Sequence, residues 1–306
     1  VGLIVDCPVI DDGLQDSPGF AVGMNGYSAG WPGGILYRTA DNGQTWDDLQ
    51  AFTGRATAGF ASTALTASAG NLIQRGGSLT VSLIGGTLES VTEAQMLNGA
   101  NIAAYGSNGR WEILRFQNAT LNANGTYTLD TFWRGDKGTE WATGLHAAND
   151  LFVLMTDPDV AFVGMPTDSI GQPRDYRAVT AGADIDSASS QAFTYSAVNL
   201  ETLSGVHPRG SRSAGDLTIT WQRRTRVGGA WRDFVDASLG EATESYEVDI
   251  MDGATVKRTI TATTPGVLYT SAMQVTDFGS AQASVTVNIY QLSAVVGRGY
   301  KLEATL

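Results

Sequence analysis

Charge, cysteine and histidine are all scarce in this chain. Only 16% of its 306 residues are charged, against roughly 25% in soluble domains. One cysteine, Cys7, excludes an internal disulfide, and nothing pairs it with His or another Cys for metal binding. There are two histidines, His146 and His207. No Gly-x-Ser-x-Gly elbow surrounds any serine and no glycine-rich phosphate loop opens a helix. These gaps remove most nucleophilic, metal-assisted and nucleotide chemistry. No apolar run approaches the roughly 18 residues of a membrane span. The first residue is Val1 with no charged-then-apolar leader, which reads as a processed product or a segment of something longer.

What the chain has instead is glycine, serine, threonine, alanine and asparagine, the composition of short strands joined by tight turns and of surfaces that face other protein. At this length the prior is about two domains. The net charge of −12 is uneven. Up to residue 205, nine Lys and Arg oppose 21 Asp and Glu; from residue 206 on, ten oppose ten. The acidic part repels nucleic acid, so no sequence-specific nucleic-acid partner is expected.

Strand signals dominate. Val1–Val5, Gly34–Arg38, Ser78–Ile84, Arg110–Phe116 and Thr126–Trp133 are apolar or alternate with polar residues. Asn-Gly pairs at Asn25, Asn42, Asn108 and Asn124 predict hairpin turns. Ser90-Val91-Thr92-Glu93 has capping-box spacing ahead of a short helix through Leu97, with Gly99 at its left-handed end. A second short helix is predicted in Gly138–Thr143. Neither organises a helical layer, so the class is all-β.

Gly205–Ser213 is polar and turn-rich, and reads as a linker. After it come Leu217–Trp221, Tyr246–Ile250, Val256–Ile260, Val267–Tyr269, Val285–Tyr290 and Tyr300–Ala304, at the spacing of a β-sandwich. The predicted organisation is a β domain over 1–205, barrel- or sandwich-like with one or two short helices, a linker over 206–213, and a fibronectin type III-like sandwich over 214–306. The first part carries Trp31, Trp111, Trp133 and Trp141 among turns. Such a set exceeds one small core and points to interfaces. Residues 1–205 are therefore expected inside an assembly, with 214–306 projecting from it.

The motifs each have a plain structural reading. Thr39–Trp46 fits an Asp-box, whose Asp ties turn amides and whose Trp covers the hairpin. Arg134-Gly135-Asp136 matches an integrin-binding tripeptide, and three residues recur by chance. Sequons at Asn118 and Asn124 matter only in a secretory pathway. Asp184-Ile185-Asp186-Ser187 offers oxygens to calcium but lacks the glycine turn and trailing Glu of an EF-hand, so a solvated acidic loop is expected and no metal. Arg223, Arg224 and Arg226 read as an edge strand protected by charge. Glu89, Glu93, Glu112 and Glu140 are nominal candidates for a glycosidase carboxylate pair. The expectation is no catalytic residue, no cofactor and no enzyme.

Two stretches resemble one family. Gly86–Glu93, Asn98–Asn101, Trp111–Phe116, Trp133–Glu140 and His146–Leu154 resemble the C-terminal part of the tail-tip hub of gene transfer agents and related siphophages. Trp221–Arg226, Leu239–Glu241, Tyr269–Ala272, Asp277–Gly279 and Gly297–Gly299 extend the resemblance through the last module, to the ending Glu303–Leu306. It implies a structural piece of a virion tail tip, assembled in a bacterial cytoplasm. The implied partners are other tail and baseplate proteins, such as a distal tail protein and tail fibres, and a host-surface glycan or receptor. The implied particle form is a homotrimeric hub. The competing readings are a carbohydrate-binding or adhesion module, resting on the Asp-box and exposed aromatics, and, further off, a glycan-cleaving enzyme.

Overall fold

A computed structural model describes every residue except 9, 15, 29 and 230–232. The chain divides into two compact units, one of residues 1–10 with 16–199 and one of 11–15 with 200–306.

Among the described residues the first unit holds thirteen strands: β1 Gly2–Val5, β2 Gly19–Met24, β3 Gly34–Thr39, β4 Asp47–Phe52, β5 Ala58–Ala61, β6 Ile73–Gly85, β7 Ile102–Gly106, β8 Glu112–Leu121, β9 Tyr127–Asp136, β10 Leu151–Leu154, β11 Val160–Gly164, β12 Pro173–Thr180 and β13 Gln191–Thr194. Strands β5 to β10 close a six-stranded barrel in the order β10-β5-β6-β9-β8-β7, and β7 pairs back onto β10. Closure leaves this sheet without an edge. Strand alternation assigns the side chains. Ala103 and Tyr105 of β7 enter the barrel core with Leu79, Phe116, Phe132 and Phe152. Ile102 and Ala104, on the opposite face of β7, pack with Leu3, Val5 and Ala21 of the small sheet β1-β2-β11. A third sheet runs β13-β12-β3-β4.

The second unit adds β14 Val206–Ser213, β15 Asp216–Gln222, β16 Tyr246–Asp252, β17 Thr255–Ala262, β18 Gly266–Tyr269, β19 Thr286–Ser293, β20 Gly297–Arg298 and β21 Leu302–Thr305. One sheet is β14-β15-β18 and the other is β17-β16-β19-β20, with β21 also on β19. Three strands against five, in this order, make a fibronectin type III-like sandwich. Leu217, Ile219, Trp221, Val285, Val287 and Ile289 all lie in its core, as their alternation predicts.

Four local expectations are corrected. Residues 206–213 are not a linker: they form β14, hydrogen-bonded along β15, and the units meet at 199/200 instead. Turn-rich composition hid a strand whose residues are nearly all solvent-facing. Arg223, Arg224 and Arg226 lie past the end of β15 and form no edge strand. They pin the segment before β16: Arg226 pairs Glu241 at 3.0 Å with both side chains nearly buried, Arg224 binds the Ser204 carbonyl at 2.8 Å, and Arg223 binds the Ala237 carbonyl at 2.7 Å. The first helix, α1 Glu93–Leu97, is boxed by Thr92 and Gln95, two residues beyond the expected Ser90–Glu93 pair. Gly138–Thr143 narrows to a single 3-10 turn, Glu140–Ala142. An unexpected helix, α2 Ser271–Phe278, joins β18 to β19, capped by Thr270 and closed by Gly279 at φ +80°.

The turn residues divide. Asn42-Gly43 and Asn108-Gly109 place both residues at positive φ, as a type I′ turn requires. Asn124-Gly125 does so only at Gly125. Asn25 makes no hairpin; it is buried, and its amide donates to the Ala56 carbonyl at 2.9 Å.

These corrections also set where a protease should cut. Phe234 is fully exposed, whereas the backbone of 206–213 is paired, and exposed unpaired backbone is cut first. In limited proteolysis, chymotrypsin should cleave after Phe234 well before trypsin cleaves at Arg209 or Arg212. Early tryptic cuts at those two arginines, mapped by mass spectrometry, would contradict the β14 pairing.

Candidate binding cleft

Three elements of the first unit converge on one concavity. Strands β3 and β12 lie side by side in register, Leu36 opposite Ala178 and Gly34 opposite Thr180. Buried Leu36 and Tyr176 line the cleft from these strands. Strand β1 lies close to them, because Gly2 leaves room: a β-carbon there would come within 2.9 Å of the Ala178 methyl. The segment after β2 and the segment before β13 supply the remaining lining, and the enclosed volume is about 620 Å³.

Both segments are held in place. Trp31 packs on glycine backbone, since a β-carbon at Gly26 would fall 2.2 Å from its ring. Its indole N–H donates to Thr180 Oγ1 at 3.2 Å. Across the cleft, Arg177 of β12 donates to Ser190 Oγ at 3.0 Å, to the Ile185 carbonyl at 3.2 Å and to Asp186 Oδ1 at 2.6 Å. Its guanidinium also sits 4.5 Å from the Trp46 ring centre. Tyr27 is 89% exposed.

The Asp-box folds as a hairpin between β3 and β4. Asp41 accepts the Thr45 N–H at 2.9 Å and the Thr45 hydroxyl at 2.6 Å, and Thr39 Oγ1 accepts the Gly43 N–H at 2.9 Å. These bonds, led by the Thr45 hydroxyl, hold the Asp41 carboxyl down at about 2. Trp46 lies against the hairpin, 3.7 Å from where a Gly43 β-carbon would stand, and its ring also meets the Arg177 guanidinium.

The calcium candidate is used locally. Asp184 Oδ1 accepts the Asp186 N–H at 2.9 Å, capping a 3-10 turn, and Asp186 pairs Arg177. Among the described residues, no three His, Cys, Asp or Glu side chains gather as a metal set.

The four glutamates have different surroundings. Glu93 pairs Arg75 at 2.7 Å on the surface. Glu89 is exposed and contributes its backbone carbonyl to Asn101. Glu140 binds the Asn71 amide. Glu112 is completely buried in an ionic cluster that the sequence does not announce. Arg134, equally buried, grips it with two bonds of 2.6 and 2.8 Å. The other guanidinium donors reach Gln74 Oε1 at 2.8 Å and the carbonyls of Thr66 and Thr143 at 3.3 and 3.1 Å. All five donors are thereby used. Glu112 also takes the Gly135 N–H at 2.9 Å and faces His146 Nε2 at 2.6 Å. Burial alone would raise the Glu112 carboxyl, but the His146 and Arg134 bonds outweigh it and hold it below its ordinary value. His146 stacks on Tyr105 at 4.0 Å, while Asp150 accepts from Ser107 and Arg110 at 2.6 and 3.0 Å. The cluster is a strut in which Arg134 and Glu112 are fully bonded, while His146 Nδ1 stays buried without a hydrogen-bond partner, 3.7 Å from Asp150. It also removes the adhesion tripeptide from play: Arg134 has no exposed surface, and Asp136 is clamped by Arg115 at 2.6 Å.

The tryptophans divide as well. Trp111 is core and Trp141 is 42% exposed. Trp133 keeps a buried indole nitrogen without a hydrogen-bond partner.

Residues 56–153 match the family described as Rcc01698-like, C-terminal. The barrel region is similar to that family. The matched stretch is roughly a third of the chain and runs from just before β5 to within β10, so the Rcc01698-like segment and the closed barrel nearly coincide. No curated protein matches the chain. Among solved structures, domains d3–d4 of the rat CD45 extracellular region align at TM-score 0.26 and 11% identity, over 45% of this chain and 64% of that one. The chain thus spans just under two thirds of that structure. The FN1–FN3 domains of chicken CNTN1 align at TM-score 0.25 and 7% identity, over 100% and 96% of the two chains. At such scores neither likeness bears on function.

Proposed function

We propose that this chain is a non-catalytic structural component of the tail tip of a phage or gene transfer agent, a baseplate hub segment that contributes to tail assembly and host-surface attachment. The observation that carries the reading is the coincidence of the Rcc01698-like match with the barrel, Rcc01698 being gene transfer agent-related. The Glu112 carboxylate supports a non-catalytic reading, since it has no lone pair to offer a substrate. In this reading the chain sits at the virion tail tip, assembled in the host cytoplasm as a homotrimer beside a distal tail protein and tail fibres. A carbohydrate-binding role is the second reading. It is favoured by the aromatic cleft, and the two coexist on a part that meets a cell surface.

The test is a reconstruction of assembled particles, combined with deletion of residues 200–306. The barrel density should appear at the tail tip in threefold array. Particles lacking the sandwich should still assemble but adsorb poorly. A particle without this chain at its tip, or assembly that fails on deletion with adsorption never at issue, would overturn the corresponding part.

A further inference from the structure

The cleft between Tyr27, Ser28 and Trp31 on one side and the 187–191 segment on the other has a chemistry of its own. Among the described residues, no Asp, Glu, Lys or Arg side chain lines it, although the chain as a whole carries −12. Its lining includes two aromatic rings at the mouth, Tyr27 and Trp31, the buried Tyr176 behind them, and polar residues among which are Thr180, Ser189, Ser190 and Gln191. Those four are exposed, so their hydroxyl and amide groups face a ligand or water. The volume of about 620 Å³ lies inside the range of roughly 300–1,000 Å³ found for small-molecule sites.

Each ligand class meets this lining differently. The α-ammonium of Val1 also lines the cleft but donates to the Asn25 carbonyl at 2.7 Å, so a phosphate, sulfate or carboxylate would enter without a side-chain counter-charge, which desolvation penalises. A purely apolar ligand would strip water from hydroxyls and an amide and return nothing. A pyranose has a C–H face that lies flat on an aromatic ring and a rim of hydroxyls that exchange hydrogen bonds with Ser, Thr and Gln. The indole is already oriented for this by the Gly26 backbone and the Thr180 hydroxyl, so little is lost in ordering it. A tyrosine left 89% exposed beside it supplies a second, mobile ring.

We infer that this cleft binds a neutral saccharide, with Trp31 as the fixed stacking platform, Tyr27 as the second ring, and Thr180, Ser189, Ser190 and Gln191 as the hydroxyl-recognising rim. Arg177 is a positioning residue. It touches no ligand, and it ties Ser190 and the 185–186 turn to β12. The inference gives the second reading above a site and a ligand class, and it does not depend on the tail-tip reading.

The experiment uses the full chain with three neutral probes, maltotriose, cellotriose and triacetylchitotriose, and glucose 6-phosphate as the anionic control. Binding is read by saturation-transfer NMR and by tryptophan fluorescence. At least one neutral probe should bind with a Kd on the order of 1 mM, and the anionic control should not compete. Trp31→Ala should weaken binding at least tenfold, and Tyr27→Ala several-fold. Trp141→Ala, at a 42% exposed tryptophan outside the lining, should keep most of the affinity. Because Tyr27 is solvent-exposed, its variant decides the matter if Trp31→Ala does not fold. The inference fails if no neutral probe binds, if glucose 6-phosphate binds as well or better, or if the Tyr27 and Trp31 variants bind like the parent. Loss of saccharide binding would leave the particle test untouched, and a particle without this chain would leave saccharide binding untouched.

Discussion

Arg134→Met should destabilise the barrel by roughly 3–5 kcal/mol, the cost of breaking a buried ion pair by removing one partner. The side chains of Arg134 and Glu112 are both 0% exposed, so no water can replace the guanidinium. The variant strands the Glu112 carboxylate against His146 and the Gly135 amide alone, and it orphans the Thr66 and Thr143 carbonyls and the Gln74 amide oxygen. The loss would appear in denaturant titration as a lower midpoint for the barrel-bearing unit, with the sandwich transition unmoved. Removing both charges, as Glu112→Leu with Arg134→Met, should recover only part of it, because the orphaned backbone groups remain. A single variant that costs under about 1 kcal/mol would mean the cluster tolerates water, contrary to its complete burial.

Stability should also depend on Asp6, with an unusual sign. Its carboxylate accepts the Ser196 N–H at 2.7 Å and the Val198 N–H at 3.1 Å. Burial outweighs those bonds and pushes the group up from 3.8 to about 6. The folded state therefore holds this proton more tightly than the unfolded chain. The stabilisation is fully present below pH about 4 and is lost as pH rises through about 6. Two pKa units correspond to about 3 kcal/mol. Other carboxylates run the opposite way: Asp150 is held low, burial notwithstanding, by Ser107, the Ala147 amide and Arg110. The reading is therefore the difference between the parent and Asp6→Asn. Between pH 4 and pH 7 the parent should lose about 2–3 kcal/mol relative to the variant. A difference that stays flat across that window would show Asp6 ionised throughout.

The sandwich was legible because its strands bury one face against water on the other. Leu217, Ile219 and Trp221 sit in its core and alternate with the exposed Thr218 and Thr220, so a period of two appears in the letters. The barrel strands were found piecemeal. β7 is buried on both faces, and a strand without a wet side carries no alternation. β14 has the opposite difficulty: an edge strand of small polar residues looks like a turn. Glu112 was visible only as a nominal acid, since nothing local in Trp133–Gly135 says that the arginine faces inward. The cleft was not legible at all. Trp31 and Thr180 are 149 residues apart in sequence, and only the pairing of β3 with β12 brings them together.

The Asp6 staple carries a consequence for synthesis. Its two amide partners lie 190 and 192 residues further along the chain. At about 5–20 residues per second, β1 is made some 10–40 s before the backbone that caps its buried carboxylate emerges from the ribosome. During that interval Leu3 and Val5 have only local strand partners, and the sheet they belong to also waits for β11. Barrel closure likewise waits for β10 to find β5, more than ninety residues upstream of it. The first unit is thus committed late, by contacts of long sequence separation, and β1 stays exposed longest while it waits for its partners.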